Sequence, residues 1–416
     1  MALVGLEEAQ RWVVSHCERL APVRLDLRAA LGCVLAEDVV STEAVPPFAN
    51  TAMDGFAVRA ADVQVVPVTL AVKATLAAGA RPTGQHHVGP GEAVRIMTGA
   101  AMPSGADAIV PIENVDRTDG PTASTVTVLQ TARPGDAVRP AGEDVVSGQL
   151  VFAAGTVLQA GHVGVLASIG RETVLAHRRV RLGVLSTGDE LIAPPQPLEI
   201  GQIRDSNRYT LLALAELAGC EAVDLGLVRD DDAEIEALVR RGVERCDAIV
   251  TSGGVSVGDF DFVKTVLDRL ARADGTPMRW MQVAIKPAKP LAFGVINGKP
   301  VFGLPGNPVS CMVSFELFAR PGIRRMMGHA DDALHRAPVR GVVDEAMRRE
   351  PDGKTHFARV VAAFADDGRV HVRSTGSQGS NLLTSMALAD ALAVLPDGPS
   401  IPAGGEVDVL LVDKRI

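Results

Sequence analysis

The sequence predicts a multidomain α/β plus β protein, with a parallel α/β sheet at its centre and β-rich segments before and after it. Three observations carry this. The chain has 416 residues, and single hydrophobic cores stop growing at roughly 250–300 residues. Over residues 180–321 apolar runs alternate with one-sided helical stripes, as in strands joined by crossover helices. Over residues 63–144, and again after Gly328, short alternating runs are cut by glycine and proline at the spacing of small β domains.

Taken in order, Leu6, Ala9, Val13, Cys17 and Leu20 recur at helical spacing, and a second helical stretch is expected over 27–35. The run Val45-Pro46-Pro47-Phe48 breaks regular structure, and 50–58 reads as a turn into a strand. Runs 66–72, 108–112 and 125–129 are short strands of an inserted β domain. From 180 the expected strands are 180–185, 223–228 and 248–251. The helices between them start at Asp205 or Ser206 and at Asp231 or Asp232, residues suited to N-capping. Asn297-Gly298 marks a hairpin. Asn307 as N-cap with Pro308 behind it starts a helix that Pro321 is expected to stop. Strands are then expected at 339–343, 356–362, 370–373, 391–395 and 407–411, with one helix over 382–392. The expected domains are 1–44 plus 146–177, 45–145, 178–327 and 328–416.

The totals exclude several functions. Hydrophobic residues are 47% and charged residues 22%, ordinary for a globular protein. No apolar run reaches the roughly 18 residues of a membrane span, and no basic-then-apolar secretory signal opens the chain. The five scattered cysteines include no C-x-x-C pair, which points to reduced thiols in the cytoplasm and away from zinc. A net charge of −9 without a basic block argues against nucleic acid and for a small anionic ligand.

The chemistry concentrates between 248 and 310. Two strand–loop–helix junctions occur there: one carries Ser252, Gly253, Gly254, Ser256 and Gly258, the other Pro305, Gly306, Asn307, Pro308 and Ser310. Free N–H groups and the helix dipole converge at such junctions and favour anions. Neither is a G-x-G-x-x-G or a Walker loop. Between them Lys286 and Lys289 stand on a proline-stiffened segment and read as phosphate clamps. Asp189, Glu190, Asp259 and Asp261 are expected at loop tips on the same carboxyl edge of the sheet, where such folds bind ligands. A carboxylate about 4 Å from a phosphate oxygen costs on the order of 4 kcal/mol at an effective dielectric near 20. A cation must lie between them, and oxygen-only ligands point to Mg2+. The nine histidines show no ligand spacing and read as surface residues.

In order, NTAMDGFAV (50–58), RIMTGAAMPSGAD (95–107), RPAGEDV (139–145), STGDEL (186–191), RDSN (204–207), RDD (229–231), SGGVSVGDFD (252–261), KPAKP (286–290) and GLPGNPVS (303–310) resemble the molybdopterin molybdenumtransferase family. These are the MoeA-type enzymes to which the C-terminal part of gephyrin is related. GSQGSNLL (376–383) adds a weaker match. The resemblance implies an elongated helical N-terminal segment, an inserted β-rich domain, a molybdopterin-binding α/β domain and a C-terminal β-barrel-like domain. It also implies a homodimer whose cleft is shared between subunits.

The implied reaction inserts molybdate into adenylylated molybdopterin with release of AMP and dependence on magnesium, downstream of a molybdopterin adenylyltransferase. The family's functional acids match Asp54, Asp144, Glu190, Asp230 and Asp259, with Glu190 and Asp259 placed on the metal. Thr98, Lys286, Lys289, Pro305 and Pro308 match the remaining site positions, and Arg139 or Lys286 is a candidate for the molybdate. Ala288 stands where the family has glycine and Phe56 where it often has tyrosine. The alternatives are an adenylyltransferase and a non-catalytic, gephyrin-like scaffold.

Overall fold

The computed structural model describes residues 2–116, 124–254, 262–273, 275 and 277–412. The chain forms two compact units: Met1–Arg24, Gly32–Ala36 and Leu175–Ile416 make one, and Leu25–Leu31 with Glu37–Val174 the other.

The first unit opens with helix α1 (Leu6–Ser15), which buries Ala9 and Val13 in the core that also holds Phe318 and Ile323. Its centre is a six-stranded sheet: β1 (Arg181–Thr187), β2 (Glu221–Val228), β3 (Ala248–Ser252), β4 (Arg279–Gln282), β5 (Pro290–Ile296) and β6 (Lys299–Leu304), in the order β2-β1-β3-β6-β5-β4. The first four in that order run parallel; β5 is antiparallel to β6, and β4 is antiparallel to β5. The sheet is therefore mixed, because Asn297 and Gly298, at φ 55° and 71°, fold β5 back on β6 in the tight hairpin that the sequence pair favours.

Helices cover both faces. On one, Leu211 and Ala215 of α2 (Asn207–Leu217) meet Val184, Val250 and Phe302. On the other, Ile235, Leu238 and Val239 of α3 (Asp232–Arg245) and Val263, Val266 and Leu267 of α4 (Phe262–Ala273) meet Leu185, Ile249 and Val301. Neighbouring strand residues such as Val184 and Leu185 point to opposite faces, so a strand covered on both sides is apolar throughout. Asp231 caps α3 by accepting the N–H groups of Ala233 and Glu234, each at 2.9 Å.

Three expected elements differ. Residues 27–35 form turns and the short strand Val34–Leu35, with Gly32 at φ 81° ending any helical path. Pro321 does not stop the helix begun by α5 (Pro308–Ser314): a π-helical turn, Phe315–Ala319, intervenes and α6 (Arg320–Met326) continues it. The wider turn removes the i−4 pairing that proline lacks. The helix expected over 382–392 is only Leu383–Ala387, because from Ala391 the chain is claimed by a strand.

That strand closes a barrel. β7 (Val339–Val343), β8 (Thr355–Phe364), β9 (Val370–Ser374), β10 (Ala391–Leu395) and β11 (Glu406–Leu411) pair in the ring β8-β9-β7-β11-β10-β8 around Val343, Val360, Val372 and Val409. Closure leaves no open edge. The two-residue strand Ile285–Lys286 pairs with β8, opposing Lys286 to His356.

The second unit carries a six-stranded sheet in the order Ala108–Pro111, Gly55–Val58, Glu92–Ile96, Val68–Leu76, Thr125–Val128 and Val115–Asp116. Phe56, Val58 and Val110 pack on one face, and Ala57, Val94 and Ile109 on the other. Among the described residues no helix is long and apolar enough to cross a membrane.

Candidate functional site

Strands β1, β3 and β6 end together: Ser186 pairs with Ser252, and Ser252 with Leu304. β5 runs the other way, so its first residue, Pro290, starts at the same edge and brings the 286–289 segment there. The fold thus gathers four loops that lie up to about a hundred residues apart in sequence.

Asn207, at the start of α2, fastens two of these loops. Its Nδ2 donates to Ser252 Oγ at 2.7 Å and to the Gly306 carbonyl at 2.6 Å. Beneath it Asp205, 1% exposed, accepts from Ser186 Oγ at 3.1 Å and from Arg208 Nε at 2.8 Å. After Ser252 the backbone N–H of Gly253 donates to the Leu304 carbonyl at 3.1 Å. Gly254 is at φ 69°, and a methyl there would lie 2.3 Å from the Val263 side chain, so only glycine fits. Thr187 Oγ1, at the end of β1, is buried and has no hydrogen-bond partner among the described residues, a donor left over at the edge. Cys311 is packed beside Ser252, and burial pushes its thiol up to about 12, which rules out a thiolate nucleophile.

Ser256, Gly258, Asp259 and Asp261, read from the sequence as loop and metal positions, lie outside the described residues. Asn307 precedes α5, but its side chain makes no cap bond. One N–H of that helix start is already used: Val309 N–H donates to the Ser380 carbonyl at 3.1 Å, which brings the 376–381 loop of the barrel against Pro308 and the buried Ser310. The second anion junction therefore has fewer free donors than a bare helix end.

Of the expected acids, the described residues bring three together at this edge. Asp189, Glu190 and Asp230 come from the loops after β1 and β2, with the Asp230 N–H donating to Asp189 Oδ1 at 3.3 Å. Burial, then the charges of Asp189 and Glu190, push the Asp230 carboxyl above its ordinary range. Glu190 folds back over Gly188: a methyl there would be 2.7 Å from Glu190 Oε2. Among the described residues no group of three or more His, Cys, Asp or Glu side chains is arranged to hold a metal ion. Crowded carboxylates without a closed cage fit Mg2+, which binds through one or two carboxylates and substrate phosphates.

Lys286 and Lys289 are exposed at this edge, on either side of Ala288, which is buried at φ 74°. Lys286 also lines a cavity of about 700 Å3 that reaches into the barrel. The floor includes Arg359, which sequence reading missed. Arg359 is 0% exposed. Its Nε donates to Ser385 Oγ at 2.8 Å and its Nη2 to the Ser377 and Gly379 carbonyls, each at 3.1 Å. Among the described residues Nη1 has no hydrogen-bond partner and no carboxylate offsets the charge. An arginine alternating with alanines and valines in a strand gives no local signal of this role. A buried, unpaired guanidinium is costly, and an anion at Nη1 would relieve it.

In the second unit Asp54 Oδ1 accepts from both the N–H and the Oγ1 of Thr98, at 2.7 and 2.6 Å. Those bonds, Oγ1 first, hold the Asp54 carboxyl below its ordinary range. Asp144 is exposed, and Arg139 is paired in register with Asn50.

The pattern of the MoeA N-terminal region (domain I and II) matches residues 4–170. The probable molybdopterin binding domain matches 183–325, and the MoeA C-terminal region (domain IV) matches 343–412. The chain belongs to the molybdopterin molybdenumtransferase family. It is 37% identical over 382 residues to the molybdopterin molybdenumtransferase of Haemophilus influenzae, covering 92% of this chain and 91% of that one. With molybdopterin molybdenumtransferase 2 of Mycobacterium tuberculosis it shares 38% over 411 residues, covering 97% and 98%. The molybdopterin biosynthesis MoeA protein from Pyrococcus horikoshii superposes with a TM-score of 0.78 at 31% identity, covering 99% of both chains. Membership extends over the helical, inserted, α/β and barrel segments alike.

Proposed function

We propose that this protein is a molybdopterin molybdenumtransferase that inserts molybdate into adenylylated molybdopterin and releases AMP. The observation that carries the reading is the carboxyl edge, where crowded acids at Asp189, Glu190 and Asp230 share one end of the sheet with loops whose donors suit a polyanion. Ser252, Gly253, Gly254 and Pro305 to Pro308 hold the pterin phosphate, and Lys286 and Lys289 neutralise charge beside it. Molybdate, a tetrahedral dianion, fits the cavity of Lys286 and Arg359, whose Nη1 lacks a partner among the described residues.

Glu190, with Asp230 or Asp259, would hold Mg2+, which supplies positive charge between these carboxylates and the phosphoanhydride. The protein's own contribution is to fix both loops through Asn207 and to keep Glu190 folded over the edge. Asp54, set by Thr98, and Asp144 act from a second copy of the chain in a homodimer. Among the described residues the five cysteines are buried and form no disulfide, which supports a reducing, cytoplasmic setting.

The test is molybdate-dependent AMP release from adenylylated pterin, with Mg2+ and with excess chelator. Release that ignores molybdate, or persists in chelator, contradicts the reading. Consumption of ATP with free pterin would favour an adenylyltransferase, although the curated relatives that match over nearly the whole chain are named molybdenumtransferases. Mixing inactive Asp54→Asn and Glu190→Gln proteins should restore activity if each site draws on two copies.

A further inference from the structure

We infer that His356 is the proton-exchanging residue of the Lys286–Arg359 cavity, with Asp352 as its positioning residue. The inference rests on the function proposed above and deepens it.

His356 lies on β8, directly opposite Lys286 in the parallel pairing, and both line the cavity with Arg359. Its side chain is 15% exposed, so the ring is largely out of solvent. Nε2 sits 3.1 Å from Asp352 Oδ1. Among the described residues Nδ1 has no hydrogen-bond partner. An ionised carboxylate at Nε2 selects the tautomer with its proton there and leaves the Nδ1 lone pair open.

The surrounding charges favour the neutral ring. Lys354 also bonds Asp352, at 2.9 Å, and holds that carboxyl down at about 2. Arg349, itself paired with Asp397, faces the same group, and Arg348, Glu345 and Glu350 complete the charged wall. Burial, then Arg349 and Lys286, lower the His356 pKa against the opposing pull of Asp352. A base with its lone pair open at neutral pH, beside two cations that gather anions, suits a reaction in which protons must change hands.

In the step, a pterin thiol S–H gives its proton to neutral His356 Nδ1. The thiolate forms a Mo–S bond to molybdate, one Mo–O bond breaks, and the departing oxygen takes the proton from His356 and leaves as hydroxide. Molybdenum keeps its oxidation state and the histidine ends neutral.

Two measurements on the full chain test this. The 15N shifts of the His356 ring, titrated with pH and with sodium molybdate, should report the Nε2–H tautomer, a pKa below 6.5 and a rise of that pKa on adding molybdate. The rate of AMP release should show an acid limb that His356→Gln removes while lowering the rate about 100-fold. Asp352→Asn should shift the limb to lower pH, since the carboxylate no longer favours the charged ring. A His356→Gln enzyme with the wild-type rate and limb, or a ring indifferent to molybdate, overturns the inference. If the wild-type protein itself releases no AMP, the proposed function fails instead, and the ring titration still decides for or against His356.

Discussion

Asn207 Nδ2 lies 2.7 Å from Ser252 Oγ and, with its second hydrogen, 2.6 Å from the Gly306 carbonyl. One amide thus ties the loop after β3 to the loop after β6, beside the Gly253 N–H bond to the Leu304 carbonyl that joins the same two segments. Asn207→Ala should cost about 1–3 kcal/mol of stability from two lost bonds and reduce AMP release more than tenfold. Thermal unfolding and single-turnover kinetics check this; an active, equally stable variant would show the loops hold themselves.

Glu190→Ala should leave the fold intact and lower the rate a hundredfold to a thousandfold, the usual cost of one preorganised electrostatic contact, about 3–4 kcal/mol. A wild-type rate would remove Glu190 from the chemistry.

Asp230 carries the opposite sign in stability. Its pKa is raised by burial and then by Asp189 and Glu190, so its ionisation opposes folding once pH exceeds the ordinary carboxylate range. Asp230→Asn should therefore raise the melting temperature at pH 7, with the gain shrinking as pH falls through that range, while activity drops. No gain at pH 7 would mean the acids do not repel.

His329 is 5% exposed, and burial, then Arg324 and Arg320, lower its pKa from 6.5 to about 4. The unfolded chain takes up this proton first, so the stabilisation is present above pH 6.5 and is lost as pH falls toward 4. His329→Gln should flatten the melting temperature across that window.

Ala288 holds φ 74° while 3% exposed. Glycine relieves left-handed strain of about 1–2 kcal/mol there, so Ala288→Gly should raise the melting temperature and leave the Lys286–Lys289 segment working. A lower melting temperature would mean that the buried methyl group outweighs the strain.

The sequence by itself determined the alternation of strands and helices, the Asn297–Gly298 hairpin and the Asp231 cap, because these depend on residues within a few positions of one another. Ser252, Gly254, Lys286 and Glu190 stood out for the same reason: small polar residues, prolines and acids at strand ends mark loops locally. Only the tertiary structure decided that residues 27–35 are not helical, that Pro321 sits inside a continuing helix, and that Ala391 belongs to a barrel strand. It alone placed Asn207 between two loops and put Arg359 and His356 in one cavity with Lys286. Pairing partners from β8 and from the segment before β5 lie about seventy residues apart. No local pattern encodes that meeting, and the charge left unbalanced at Arg359 exists only once the barrel has closed around it.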